Sequence, residues 1–162
     1  MKGVLVLMIV LMSSLALAVV HGNKPGEAKV EVHGQTITVV YTAPHLNGRD
    51  VNELLKLPRA NPWRLGADNP TKLSSPIDLQ FGDTRLAAGD YSLRAYRDED
   101  DRWWLQALDS SPEVVARLPL QRTKAGESEE YVVISLSPKG HGATFKAQWG
   151  THVLAGDFSM AY

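Results

Sequence analysis

A mostly β fold, an antiparallel β-sandwich of jelly-roll-like type with one short helix, is predicted by three observations. From Ala28 onward the apolar positions recur with a period of two, as strands with one buried face require. Glycine, proline and Asx clusters punctuate these runs at short intervals. One segment alone switches to helical spacing, so helices cannot form a layer of their own. The strands differ in length and their connections are uneven, which favours a sandwich over a closed barrel.

The elements follow in chain order. Ala28-Lys29-Val30-Glu31-Val32-His33 alternates cleanly, Gly34-Gln35 turns the chain, and Ile37, Val39 and Tyr41 resume on one face, giving a hairpin. Asp50-Val51-Asn52-Glu53-Leu54-Leu55-Lys56 places apolar residues at i, i+3 and i+4 behind an Asp50 N-cap. Glu53 sits where a capping box would put it, and Pro58 ends the helix, so its span is Val51 to Leu57. Ile77, Leu79 and Phe81 alternate with polar residues, and Gly82-Asp83 turns the chain into Thr84-Arg85-Leu86. Tyr91, Leu93 and Ala95 form the next strand, Asp98 to Asp101 a turn, and Trp103, Leu105 and Ala107 the return. Val114, Ala116, Leu118 and Leu120 make a weaker strand that Pro119 assigns to a sheet edge. Thr123 to Glu130 reads as a polar loop. Tyr131 to Ser137, Ala143 to Trp149 and Thr151 to Phe158 complete the set.

Met1-Lys2-Gly3 offers one positive charge, Val4 to Met12 is unbroken apolar sequence, and Ser13 to Ala18 supplies an Ala-x-Ala cleavage site. That order is a secretory signal peptide, residues 1–18, ahead of a single β-sandwich domain, residues 19–162. The expected location is therefore secreted or periplasmic. The apolar run continues through Val19-Val20, so an uncleaved anchor is the alternative and the expected route to a membrane. No cysteine lies near the cut, which excludes a lipid-anchored lipoprotein. Loss of Lys2 with the leader moves the net charge from −1 to −2 with the signs interspersed, so nothing points to nucleic acid. The chain has no cysteine, which rules out disulfides, thiolate metal sites and cysteine nucleophiles.

Three pieces carry a family resemblance: Val39-Val40-Tyr41-Thr42-Ala43-Pro44 followed by Gly48-Arg49; Trp63-Arg64-Leu65-Gly66-Ala67-Asp68-Asn69-Pro70-Thr71; and Leu86-Ala87-Ala88-Gly89-Asp90-Tyr91-Ser92-Leu93. In that order they resemble the exported bacterial family called domain of unknown function 2911. Its pattern runs V-x-Y-x-x-P, G-R, W-R-x-G-A-N-E-A-T and L-x-A-G-x-Y-x-L. The resemblance implies export and a mostly β domain and attaches no activity. Asp68-Asn69-Pro70 stands where Asn-Glu-Ala is usual, so a carboxylate of relatives at that glutamate is missing here in register.

The irregular run Asn61 to Thr71 is the candidate site. Arg49, Trp63, Arg64, Asp68 and Asn69 are its candidate ligand-binding residues: a guanidinium beside the backbone N–H groups of Gly66 and Ala67 suits an anion, and Trp63 suits a sugar ring. The structural alternative makes Trp63 a plug, with Arg64 fixed to Asp68 or to loop carbonyls. Of the five histidines, His45, His141 and His152 are the ones able to converge. No pair has the spacing that places two imidazoles on one metal, and no metal or cofactor is expected. Trp103 shares parity with the core, leaving Trp104 as the surface aromatic. No serine lies in a nucleophile motif. The functional expectation is a binding module of the bacterial envelope or exterior, taking an anionic or glycan-like ligand or an envelope protein. Two alternatives stand beside it: an envelope hydrolase or lyase using His45, Asp68 and Arg64, and a purely structural or partner-binding protein.

Overall fold

The computed structural model describes residues 19–56 and 62–161. The leader Met1–Ala18, the end of the expected helix at Leu57 and Pro58, and Asn61 at the head of the irregular run lie outside them, as do Arg59, Ala60 and Tyr162. Nine antiparallel strands and one short helix follow: β1 Lys24–Val32, β2 Gln35–Ala43, α1 Val51–Leu54, β3 Thr71–Ser75, β4 Leu79–Phe81, β5 Thr84–Leu86, β6 Gly89–Arg97, β7 Trp103–Leu108, β8 Val114–Lys139 and β9 Gly142–Met160. The mostly β expectation is met.

The strands form one open sheet in the order β1-β2-β3-β6-β7-β8-β9-β4-β5. It is a meander with one excursion: the β4–β5 hairpin leaves the sequence of neighbours and pairs with the far side of β9. The sheet curls, because β1 packs against β8, five places along the order. The Tyr41 hydroxyl accepts a hydrogen bond from the Ile134 N–H at 3.0 Å, and Pro44 O accepts from Val132 N at 3.2 Å, fastening β2 to β8 across the enclosed core. The face-to-face burial expected of a sandwich is thus achieved by one sheet bending over itself, without Greek-key crossings.

β8 is the hinge of this arrangement. Its first part, Val114 to Leu120, pairs with β7 alone, as the missing N–H of Pro119 permits, and β9 joins from Gln121. The segment expected to be a polar loop, Thr123 to Glu130, is instead part of β8. Its polarity reflects a wide bulge: the β8–β9 register shifts between Lys124 and Glu129 and again before Val133. Buried Gln148 holds the bulge, donating from Nε2 to Glu127 O at 2.9 Å and to Gly150 O at 3.0 Å. The two late strands expected at Ala143 and Thr151 are likewise one strand, β9, bent at Gly150 with φ +57°.

That bend positions the helix. A Cβ on Gly150 would lie 2.8 Å from Cγ1 of Val51, so the absence of a side chain lets α1 sit down on β9. Asp50 caps α1 by accepting from Asn52 N at 2.8 Å, as expected. Glu53 does not complete a capping box and pairs with Lys56 at 2.6 Å instead. The helix ends at Leu54, short of the expected Leu57, and Val51 and Leu55 bury its inner face.

Candidate functional site

The irregular run is a latch between β2, β6 and the core. Trp63 exchanges two backbone hydrogen bonds with Ala95, at 2.7 and 2.8 Å, and the residue is 8% exposed. It stacks on Trp149 with centroids 6.0 Å apart and planes 10° from parallel. Leu65 is fully buried at φ +62°, a conformation that a branched side chain holds only under tertiary constraint. Ala67 N donates to Thr42 O at 2.9 Å, and a Cβ on Gly66 would lie 2.8 Å from that same oxygen. The glycine is required by this close approach of two backbones.

The polar members of the expected site are placed around the latch. Arg64 is exposed and donates from Nη2 to Asp68 O at 2.8 Å. Asp68, at φ +60°, accepts from Asn23 Nδ2 at 3.3 Å, and Asn69 is exposed. Arg49 donates from Nε to Leu46 O and from Nη2 to His45 O, both at 2.8 Å, with its guanidinium carbon 6.0 Å from the Trp149 ring. Trp149 therefore joins Arg49 and Trp63 in one aromatic stack, while the Arg64 guanidinium turns back on its own loop. Both arginines use N–H groups on loop carbonyls, and for Arg64 that is the arrangement the structural alternative describes. His45 and Asp68, paired in the hydrolase alternative, have different partners: His45 Nδ1 accepts from Asn47 N at 2.8 Å and its Nε2 lies 3.9 Å from a Glu130 carboxylate oxygen.

The histidines separate into three places. His45 stacks on His21, with centroids 4.3 Å apart; His141 lies against His33, with ring nitrogens 3.1 Å apart; and His152 is enclosed by tryptophans. The Trp104 expectation holds in part: it is half-buried, beside Trp103 at 8% exposure. Its Nε1 donates to Asp98 at 2.9 Å, and it borders an open groove of about 460 Å³ with Val115, Arg117 and Pro119.

His152 marks the most distinctive site. It is 5% exposed, its ring meets Trp63 and Trp103 edge-on at 6.5 and 5.6 Å, and its buried Nδ1 has no hydrogen-bond partner among the described residues. It lies under two open cavities, about 410 and 190 Å³, that share Asn52, Arg122 and His152. Thr123, Lys124 and Thr151 line the larger, and Leu55, Lys56, Arg97 and Trp103 the smaller. Arg97 sits 5.8 Å over the Trp103 ring and reaches Asp101 only at 3.8 Å. Arg122 has no side-chain hydrogen-bond or ion-pair partner among the described residues. Burial pushes the His152 imidazole down to about 4, and the charges of Arg122 and then Arg97 push the same way. The ring is therefore neutral at pH 7, in a cleft whose walls are cationic and whose floor is aromatic.

Cross-strand register explains the assembly. Arg97 pairs with Trp103, Trp103 with Leu120, and Lys124 with His152, so these side chains share one face of the sheet. Arg97 has the parity of buried Leu93 and Ala95, and Arg122 that of Ala116, Leu118 and Leu120. Both arginines thus continue a core-facing row past the point where the core ends. That parity was the signal available in the sequence, where an arginine closing a strand reads simply as a solvated end. Asn52 and Lys56 of α1 complete the rim from above, and no local pattern announces them.

No curated protein and no solved structure matches the chain. The family described as "Protein of unknown function (DUF2911)" matches residues 24–157. Within that span each of the three motif pieces fastens backbone to backbone or ring to backbone: Tyr41 to Ile134, Trp63 to Ala95, and Tyr91, whose hydroxyl donates to Ala87 O at 2.7 Å. The chain belongs to that family, DUF2911.

Proposed function

We propose that this protein is an exported binding module that holds an oxyanionic group, such as a phosphate or sulfate ester, in the cleft over His152. Export rests on the leader-like Met1–Ala18. One observation carries the site: His152, whose buried Nδ1 has no hydrogen-bond partner among the described residues, lines one cationic cleft with the exposed Arg122, whose guanidinium has none among them either. The orphaned imidazole nitrogen costs free energy in the empty state, and the exposed Arg122 guanidinium offers an anion a fork of N–H donors beside that ring. Thr123 and Thr151 add hydroxyl groups, and the volume leaves room for a sugar-sized body beyond the anion.

The reading keeps the expected ligand class but moves its centre away from Arg49 and Arg64, whose guanidiniums are engaged by loop carbonyls. Trp63 remains part of it as a wall behind His152.

The test is thermal unfolding at matched ionic strength with inorganic phosphate, inorganic sulfate and a sugar phosphate. A ligand present at a hundred times its Kd adds about 2.7 kcal/mol to stability. The expected result is a concentration-dependent rise in Tm that Arg122→Gln removes, whereas Arg49→Gln and Arg64→Gln retain it. An equal rise in wild type and Arg122→Gln, or no rise with any of these anions, overturns the proposal.

A further inference from the structure

We propose that removal of the leader after Ala18 creates a copper(II)- or nickel(II)-binding site from the new amino terminus Val19-Val20-His21. This rests on the export part of the reading above and is independent of the anion cleft. A free α-amine followed at the third position by histidine offers four nitrogens in one plane: the amine, the two intervening amides and the imidazole Nδ1. Planar four-nitrogen coordination is the preference of copper(II) and nickel(II), and zinc gains little from it. Coordination displaces the α-ammonium proton and the protons of the two amides, so affinity falls as pH falls.

Three features of the described chain suit this chemistry. Neither Val20 nor His21 is proline, so both amides can be deprotonated. Val19 and Val20 are each 78% exposed and β1 begins only at Lys24, so this backbone is free of the sheet ladder and able to wrap an ion. His21 is already held on the surface: its ring stacks on His45, its N–H donates to Asn47 Oδ1 at 2.8 Å, and its carbonyl accepts from Asn47 Nδ2 at 2.9 Å. The metal takes the His21 amide nitrogen, so it must displace the Asn47 Oδ1 bond. Metal capture and docking of the terminus therefore compete, and the ion loosens the terminus from the Asn47 clamp.

The experiment exports the full-length chain in a bacterial host, purifies the mature protein and determines its mass. A mass beginning at Val19 is expected. A mass beginning at Leu17, from a cut after Ser14-Leu15-Ala16, or retention of the leader overturns the proposal before any metal is added. Copper(II) chloride is then titrated against glycine as competitor, read by the visible absorption of square-planar copper(II). One equivalent should bind with that spectrum to the Val19 chain. It should be lost in His21→Ala, and in a cytoplasmic form with Met-Lys before Val19, where the large second residue retains the Met and histidine stands fifth. Equal binding by these three forms overturns the proposal. Asn47→Gly, which tolerates the φ of +50° at that position, should bind about fivefold more tightly by removing the competing hydrogen bond. Weaker binding would overturn the competition between metal and clamp.

Discussion

His152 makes stability depend on pH. Its imidazole titrates near 6.5 in the unfolded chain and at about 4 in the fold, because burial and the neighbouring Arg122 and Arg97 disfavour the charged ring. The unfolded state therefore binds more protons between these values. Stability is fully present above about pH 6.5 and is lost as pH falls toward about 4. The displacement corresponds to about 3 kcal/mol, and in a domain of this size to roughly 10 °C in Tm. Urea unfolding monitored by tryptophan fluorescence at pH 7.5, 5.5 and 4.5 measures the loss. His152→Phe preserves the edge-on contacts with Trp63 and Trp103 while removing the titration, so its curve should be flat across that window relative to wild type. An undiminished slope in His152→Phe would refute the account. A bound anion should shrink the wild-type slope, because it stabilises the protonated ring.

Other outcomes follow from the same geometry. Trp63→Ala should cost about 3–5 kcal/mol in urea unfolding, since it vacates a buried stack, and Trp63→Phe clearly less. Gly66→Ala should destabilise by about 1–3 kcal/mol, because its methyl meets Thr42 O and neither backbone can yield without moving β2 or Leu65. Arg122→Gln should raise the His152 pKa, measurable by NMR titration of the ring protons, with little change in stability at pH 7.5. Asp98, held down to about 2 chiefly by the Trp104 N–H and the Arg102 amide, contributes stability that is present above pH 4 and lost as pH falls toward 2. In Asp98→Asn that part of the acid transition should disappear while the one near pH 5 persists.

The period-two alternation carried most of the fold, because each strand buries one face and the sequence must repeat that geometry. Parity alone separated Trp103 from Trp104, and the missing N–H of Pro119 marked a stretch paired on one side. What alternation cannot encode is continuity. Thr123 to Glu130 has no apolar period because the bulge removes it from the buried face, yet the ladder runs on through it. The curl in place of two sheets was hidden for a related reason. Tyr41 to Ile134 is a single hydrogen bond across 93 residues, and nothing local announces its partner. The candidate site divides in the same way. Trp63 stood out as an aromatic outside any period. Arg97 and Arg122 lay on regular strands and looked ordinary, and their meaning appears only once β6, β7, β8 and β9 are laid side by side.

The last strand has a consequence for how the protein comes into being. β9 is the last strand among the described residues, yet it lies inside the sheet, between β8 and β4. It supplies Trp149 to the Trp63 stack, His152 to the cleft and Gln148 to the bulge. Until residue 160 or so is available, β4 and β5 have no ladder to join, and the longest strand lacks its main partner. A chain emerging N-terminus first, from a ribosome or through a membrane pore, is then left without a native core until β9 arrives. Such a chain stays threadable throughout transit and closes in one late step. Deleting even the last dozen residues should leave it uniformly protease-sensitive, with no trimmed but folded domain.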